Sequence, residues 1–242
     1  MTMRICIFEA GLTPDQYREE YGSYPDMTAN WLSKHLPEAA FSTCSIVQDE
    51  PVPASVDEFD GYIITGSKHG VYEDLPWMQA LRAFLLKIRE VQKPVFGICF
   101  GHQIMAAAFE GEVCKSAKGW GIGAQEYDYA QESGLKSSAS FLFHQDQVEA
   151  VPKGAKVIGG NTFCPIGALA YDFPALSVQF HPEFSKEYVA ELARLYGGDR
   201  IPQGIADTAL QTLECDDVDN DHIAVHVAAF FRQSILSMSV QN

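Results

Sequence analysis

Short hydrophobic runs alternate with segments of helical periodicity along the first hundred residues. Apolar side chains that recur between Trp77 and Ile88 at helical spacing predict a helix over residues 76–90, and a proline at its first turn favours that start. Weaker patterns predict helices over residues 27–36 and 101–109. The apolar runs predict buried strands over residues 4–8, 42–47, 61–65 and 94–98.

The pattern changes to short β segments between residues 119 and 180. Two apolar runs flank the turn Asp172-Phe173-Pro174 and predict a hairpin of residues 167–171 and 175–180. Ser185 then predicts the cap of a helix that runs through Tyr196. The remaining predictions are a turn and strand start at 111–113, strands at 121–129, 141–143 and 156–159, an acidic solvated loop at 214–221 and an amphipathic helix at 222–238.

Strands that alternate with helices imply an α/β fold with a mostly parallel central sheet and helices on both of its faces. The hairpin region adds a small antiparallel β extension. No internal repeat and no linker-like composition interrupts the chain, so residues 1–242 are predicted to form a single domain.

Composition and charge limit the classes of function that the sequence allows. The net charge is −15 without a basic patch, so nucleic acid is not an expected partner, and an anionic substrate would need local donors to offset the overall field. The sequence lacks a secretory signal and a run of about 18 apolar residues, so we expect no membrane association and a cytoplasmic location. Six cysteines without CxxC spacing predict no metal site, and reducing conditions would keep them free.

One cysteine stands at a chemically distinctive position. Cys99 lies at the junction of a predicted strand and helix, with Gly97 two residues before it and Gly101 two residues after it. That is the spacing of a nucleophile elbow, a tight turn in which bulky neighbours would clash and the helix N-terminus favours negative charge. The alternative is a buried core cysteine, which is the usual fate of a free cysteine.

A second signal follows the last predicted strand. The strand ends at His181, and Pro182 biases that histidine toward an extended conformation. Because residues i and i+2 of an extended chain face the same side, Glu183 could orient the imidazole. The alternative is a surface histidine at a strand end. Together with Cys99, however, these residues make a complete set for acyl transfer.

Two segments, 97–103 (GICFGHQ) and 180–183 (FHPE), resemble the two signatures of class I glutamine amidotransferases. Residues 64–72 (ITGSKHGVY) resemble the oxyanion strand of the glutaminase domain of GMP synthetase, with Ser67 and Lys68 in place of a glycine and a proline. Segments 118–123, 143–148 and 21–24 are more similar to stand-alone γ-glutamyl peptidases, and Phe143 replaces the small polar residue of many synthetase-linked members.

The resemblance implies a role for each matching residue. Cys99 would be the nucleophile, His181 the base and Glu183 its orienting carboxylate. The backbone N–H groups of Ser67 and Phe100 would form the oxyanion hole. Three further residues are expected to bind the substrate: Gly66, Gln103 and His144. His102 is expected to bond locally, and Tyr17, Tyr21, Tyr24 and Trp120 are candidates for a pocket lining as well as for the core.

Three functions remain open from the sequence. The first is a stand-alone hydrolase of a small-molecule γ-glutamyl substrate, favoured by the lack of an appended synthetase domain. The second is a glutaminase subunit that supplies ammonia to a separate synthetase partner. The third is a non-catalytic binding member of the fold, against which the complete Cys99, His181 and Glu183 set argues. None of the three requires a cofactor.

Overall fold

A nine-stranded mixed sheet organises the molecule in a computed structural model that describes residues 2–215 and 218–241. Its strand order is β2-β1-β3-β4-β11-β10-β9-β6-β7, and β5 pairs with β8 in a separate two-stranded sheet. The strands are β1 Met3–Phe8, β2 Ala39–Cys44, β3 Gly61–Ile64, β4 Val95–Ile98, β5 Glu112–Lys115, β6 Gly121–Tyr129, β7 Ser138–His144, β8 Asp146–Ala150, β9 Ala155–Gly160, β10 Ala168–Tyr171 and β11 Ala175–Val178.

Seven helices accompany these strands in the described part of the chain. The core lies in separate apolar layers that these helices form with the sheet and with one another. The helices are α1 Asp15–Tyr21, α2 Tyr24–Ser33, α3 Pro76–Glu90, α4 Phe100–Ala108, α5 Lys186–Tyr196, α6 Gln203–Cys215 and α7 Asp221–Gln241. In the described residues, none of them is both long enough and apolar enough to cross a membrane.

The parallel strands β2, β1, β3, β4 and β11 form one half of the sheet, and the antiparallel strands β10, β9, β6 and β7 extend it. The predicted α/β fold with a parallel sheet and an antiparallel extension is thereby confirmed. In the register of β4 and β11, Ile98 lies opposite Val178. The carboxyl ends of these two neighbouring strands therefore meet at one edge, where open α/β sheets commonly place their sites.

Several predicted bounds shift. The first long helix begins at Tyr24 rather than at residue 27, because Ser23 and Asp26 form a capping box: the Ser23 side chain accepts from the Asp26 N–H, and the carboxylate accepts from the Ser23 N–H. The second strand is Ala39–Cys44 rather than 42–47, since pairing with β1 begins at Ala39, and Val47 lies in a single 3-10 turn.

Two helices and one strand were not predicted. Helix α1 buries none of its side chains and so has no apolar stripe to reveal it. Helix α6 packs on β6 at Gly123, and strand β8 pairs with β5. The predicted loop at 214–221 is partly wrong, since α6 extends through Cys215 and α7 begins at Asp221; residues 216 and 217 lie outside the described residues.

Candidate active site

Cys99 occupies the tight turn between β4 and α4. Its backbone has φ 52° and ψ −99°, a conformation that L-residues rarely adopt. Both flanking glycines are required sterically: a Cβ on Gly97 would come within 2.6 Å of the Gly101 carbonyl carbon, and a Cβ on Gly101 would come within 2.4 Å of the Ile64 carbonyl oxygen. The sequence spacing therefore corresponds to a real elbow, which holds the thiol at the N-terminus of a nine-residue helix.

His181 and Glu183 reach the elbow from the neighbouring strand end. The Nδ1 atom of His181 lies 2.8 Å from Oε1 of Glu183, and both side chains are buried. The Cys99 side chain lies close enough to the imidazole to act on the pKa of His181. The structure thus brings together the cysteine, histidine and glutamate that the sequence singled out.

The protonation of His181 is set by opposing influences. Burial alone would lower its pKa, but the Glu183 carboxylate and the Cys99 side chain, through charge and hydrogen bonds, together raise the pKa above its usual range. An imidazolium is therefore stabilised between these two groups, as expected for a base that stores the proton of a nucleophile.

The N–H groups of Ser67 and Phe100 are the two donors that the resemblance implies for an oxyanion hole. In the described residues, the Ser67 N–H donates to no other group, and the Phe100 N–H belongs to the first turn of α4, where helical partners are lacking. Gly66 lies against the imidazole, since a Cβ there would come within 2.8 Å of Cε1 of His181. The geometry is compatible with the oxyanion hole and the glycine that the resemblance implies.

A side-chain amide contacts the thiol of Cys99 from inside the protein, and a second amide contacts the first. Nε2 of Gln179 lies 3.5 Å from Sγ of Cys99, and Oε1 of Gln179 accepts from Nε2 of Gln103 at 3.1 Å. Gln103 also donates to the carbonyl oxygen of Asp146. Its amide nitrogen is therefore already in use within the protein. Gln179 was missed in the sequence, where its only signal is a polar residue just before the strand-end histidine.

The two other buried histidines near the elbow stay neutral. Burial lowers the pKa of His144 to about 3, and its Nδ1 lies 3.1 Å from the Asp146 carbonyl oxygen, which assigns the proton to that nitrogen. Burial lowers the pKa of His102 to about 4. His102 bonds Ser177 and the carbonyl oxygen of Ile166, in agreement with the local role expected for it.

A cavity of about 450 Å³ opens at Cys99 and His181, a size typical of small-molecule sites. Tyr24 and Trp120 line it, whereas Tyr17 and Tyr21 pack around Tyr188 instead. Its charged lining comprises three cations and two carboxylates, Lys68, Lys115, Arg200, Glu73 and Asp146.

The three cations at this cavity take part in none of the ion pairs found among the described residues. Within these residues they stay unpaired even though acidic side chains outnumber basic ones in the chain by 32 to 17. These three cations are local donors of the kind that an anionic substrate would need in a chain of negative net charge. Within the described residues, no group of histidine, cysteine and acidic side chains could hold a metal ion.

Comparison with known proteins agrees with this architecture. A family model described as "Glutamine amidotransferase class-I" matches residues 27–190, more than half of the chain. Gamma-glutamyl peptidase 4 of Arabidopsis thaliana is 26% identical over 86% of this chain and 87% of its own. A GMP synthase of Clostridium acetobutylicum is 32% identical over 67% of this chain but only 31% of its own.

The fold has a solved counterpart as well. A glutamine amidotransferase from Thermotoga maritima superimposes with a TM-score of 0.73 over 97% of this chain and 99% of its own, at 16% identity. At that identity, the likeness concerns the fold alone.

Proposed function

The chain belongs to the class I glutamine amidotransferase family, and we propose that it is a cysteine amidohydrolase that cleaves γ-glutamyl amide bonds without a synthetase partner. The observation that carries the proposal is the grouping of Cys99 with the hydrogen-bonded pair of His181 and Glu183 beside a cavity that Cys99 and His181 line. The relatives named gamma-glutamyl peptidase support this choice of substrate class, because they match this chain over most of both lengths.

The reaction follows from the positions of these groups. The Cys99 thiolate, with its proton on His181, attacks the γ-carbonyl carbon. The tetrahedral oxyanion receives hydrogen bonds from the N–H groups of Ser67 and Phe100, each typically worth about 3–4 kcal/mol. Collapse breaks the C–N bond as His181 protonates the leaving nitrogen, which leaves a γ-glutamyl thioester on Cys99.

Hydrolysis of the thioester restores the enzyme. A water molecule gives a proton to His181 and attacks the thioester carbonyl; glutamate leaves, and the thiolate and imidazolium are regenerated. Glu183 holds the imidazole in the tautomer and orientation that both half-reactions need. No step calls on a cofactor.

Glutamate release by the purified protein tests the proposal. We expect turnover of a γ-glutamyl dipeptide and of γ-glutamyl methylamide, little turnover of glutamine, and none with Cys99→Ala. Activity that persists in Cys99→Ala would contradict the mechanism. Activity restricted to glutamine and raised by a separate synthetase would favour an ammonia-supplying glutaminase subunit instead.

A further inference from the structure

A row of apolar side chains leads away from His181 along α5. Tyr188, Leu192 and Tyr196 follow one another at intervals of four residues, which places them on one face of α5, and Phe184 precedes the N-cap of that helix. The row begins at the catalytic histidine, because the rings of His181 and Phe184 stack with centroids 4.0 Å apart. Phe184, Leu192 and Tyr196 line the cavity, and Tyr188 lies buried behind them.

Two further aromatic residues, Phe143 in β7 and Trp120 just before β6, extend this row. Phe143 of β7 lies 6.1 Å from Tyr196 and 6.0 Å from Trp120, measured between ring centroids. All three rings are only partly buried, and all three line the cavity. The outer part of the cavity is therefore walled by aromatic surface that a ligand could cover further.

A cation stands at the outer end of these walls. The Arg200 guanidinium lies over the ring of Tyr196, 5.2 Å from its centroid, and makes no ion pair among the described residues. An exposed arginine that stacks on an aromatic face keeps its N–H groups free to bind a carboxylate in bidentate fashion. Because the net charge of the chain is −15, a cation at the outer end of the cavity does not follow from the overall composition and is specific to this cavity.

We propose that this aromatic groove, formed by Trp120, Phe143, Leu192, Tyr196 and Arg200, binds the leaving group of the substrate. The inference rests on the proposed function, since His181 can protonate the leaving nitrogen only if that nitrogen lies beside its ring. The substituent on the nitrogen then extends along the row that begins at Phe184. The leaving group best matched to the groove is a peptide with a large apolar side chain and a free terminal carboxylate.

The length of the groove favours a peptide over a single amino acid. The eight helical steps from Tyr188 to Tyr196 span about 12 Å at 1.5 Å per residue, whereas an extended chain covers about 3.5 Å per residue. A leaving dipeptide brings its carboxylate within reach of the Arg200 side chain. Ammonia or methylamine would leave the whole groove unfilled.

A matched set of substrates tests the groove. For γ-Glu-Gly-Phe we expect a KM about tenfold lower than for its C-terminal amide or for γ-Glu-Gly-Gly, because each comparison removes one contact of the groove. Arg200→Gln should abolish the difference between acid and amide, and Phe143→Ala the difference between Phe and Gly. Arg194→Gln is the control, since Arg194 lies on α5, just before the turn that carries Arg200, and its partner among the described residues is Glu191.

Binding to Cys99→Ala, measured by calorimetry, separates this inference from the proposed function. We expect γ-Glu-Gly-Phe to bind about tenfold more tightly than its amide, and Arg200→Gln in the same background to remove that preference. Equal affinity for acid and amide would overturn the proposed role of the groove, even if glutamate release proves normal. Conversely, tighter binding of the acid would support that role even if no substrate were turned over.

Discussion

The imidazole of His181 stacks on the ring of Phe184 at a centroid distance of 4.0 Å and an interplanar angle of 5°. One ring nitrogen is bound to Glu183, and the Cε1 edge lies against Gly66. The ring is thus fixed by a carboxylate at its edge, an aromatic face and the absence of a side chain at residue 66. This restraint fixes the imidazole beside Cys99, whose side chain helps to raise the pKa of His181.

Glu183→Gln should lower kcat by about a hundredfold or more, because the amide cannot stabilise the imidazolium. The same change should lower the pKa of His181, which the carboxylate now helps to raise. Steady-state kinetics and NMR titration of labelled histidine measure the two effects. Glu187→Gln, an exposed change in the first turn of α5, is the control. An unchanged kcat in Glu183→Gln would rule out the orienting role.

The raised pKa of His181 also makes stability depend on pH. A group whose folded-state pKa lies above its unfolded value of about 6.5 binds its proton more tightly in the folded state. Its contribution to stability is therefore complete below about pH 6 and is lost as the pH rises through the folded-state pKa. The free energy of unfolding of the unsubstituted protein should exceed that of Glu183→Gln most near pH 6, and the difference should shrink in alkaline solution.

Urea unfolding at several pH values checks this dependence. The sign is the informative result, because a difference that grows with pH would mean that the Glu183 carboxylate does not favour the charged imidazole. Glu187→Gln again provides the baseline for removing one acidic side chain from this region.

The Cys99 backbone predicts an inverted order of stability between glycine and alanine. At φ 52° and ψ −99°, any side chain is strained, at a cost of about 1–3 kcal/mol. Cys99→Gly should therefore be more stable than Cys99→Ala by about 1 kcal/mol, although glycine normally destabilises a folded chain. Thermal or urea unfolding of the two inactive variants measures the difference. If alanine proves the more stable, the elbow is not strained at this residue.

Gly101→Ala should destabilise the protein by about 2 kcal/mol or more, since the new Cβ would come within 2.4 Å of the Ile64 carbonyl oxygen in a packed interior. Gly204→Ala in α6 is the matched control, because a Cβ there meets nothing within 4 Å. That change should be neutral or stabilise the protein by about 0.5 kcal/mol. Equal losses from the two substitutions would argue against the close approach of α4 to β3.

The sequence predicted the helices and strands that depend on residues close to one another in the chain. Helix α3 and strand β6 have the predicted bounds; in α3 the apolar side chains recur at helical spacing along the whole element. Helix α6 escaped prediction because its place depends on a distant glycine: a Cβ on Gly123 would come within 2.3 Å of Oγ1 of Thr212. Propensity within the helix carries no information about that contact.

The residues of the site also differ in whether a local sequence signal or a distant contact identifies them. Cys99 and His181 each carry a local signal, a pair of glycines in one case and a following proline in the other. Arg200 carries none and Gln179 only its polarity, because what singles them out is the ring or thiol that each one contacts in the folded chain. Contacts of this kind depend on the order of strands in the sheet, which hydrophobic pattern alone does not specify.

His144 offers the last prediction, because its pKa of about 3 keeps it neutral wherever the enzyme would be assayed. Its Nδ1 donates to the Asp146 carbonyl oxygen, a contact that joins the end of β7 to the start of β8 at the cavity. His144→Asn retains a donor near the Nδ1 position, whereas His144→Leu removes it. We therefore expect KM to rise about tenfold more in the leucine variant, with kcat changed less than KM in both.

The pH profile separates this positioning role from acid–base chemistry. Between pH 5 and 9, the ratio of kcat/KM between the unsubstituted protein and His144→Asn should stay constant, since His144 does not titrate in that range. His181→Asn, in contrast, should remove turnover altogether. A ratio that varies with pH would show that His144 exchanges protons during turnover, and an equal KM in the asparagine and leucine variants would show that its bond to Asp146 does not shape the cavity.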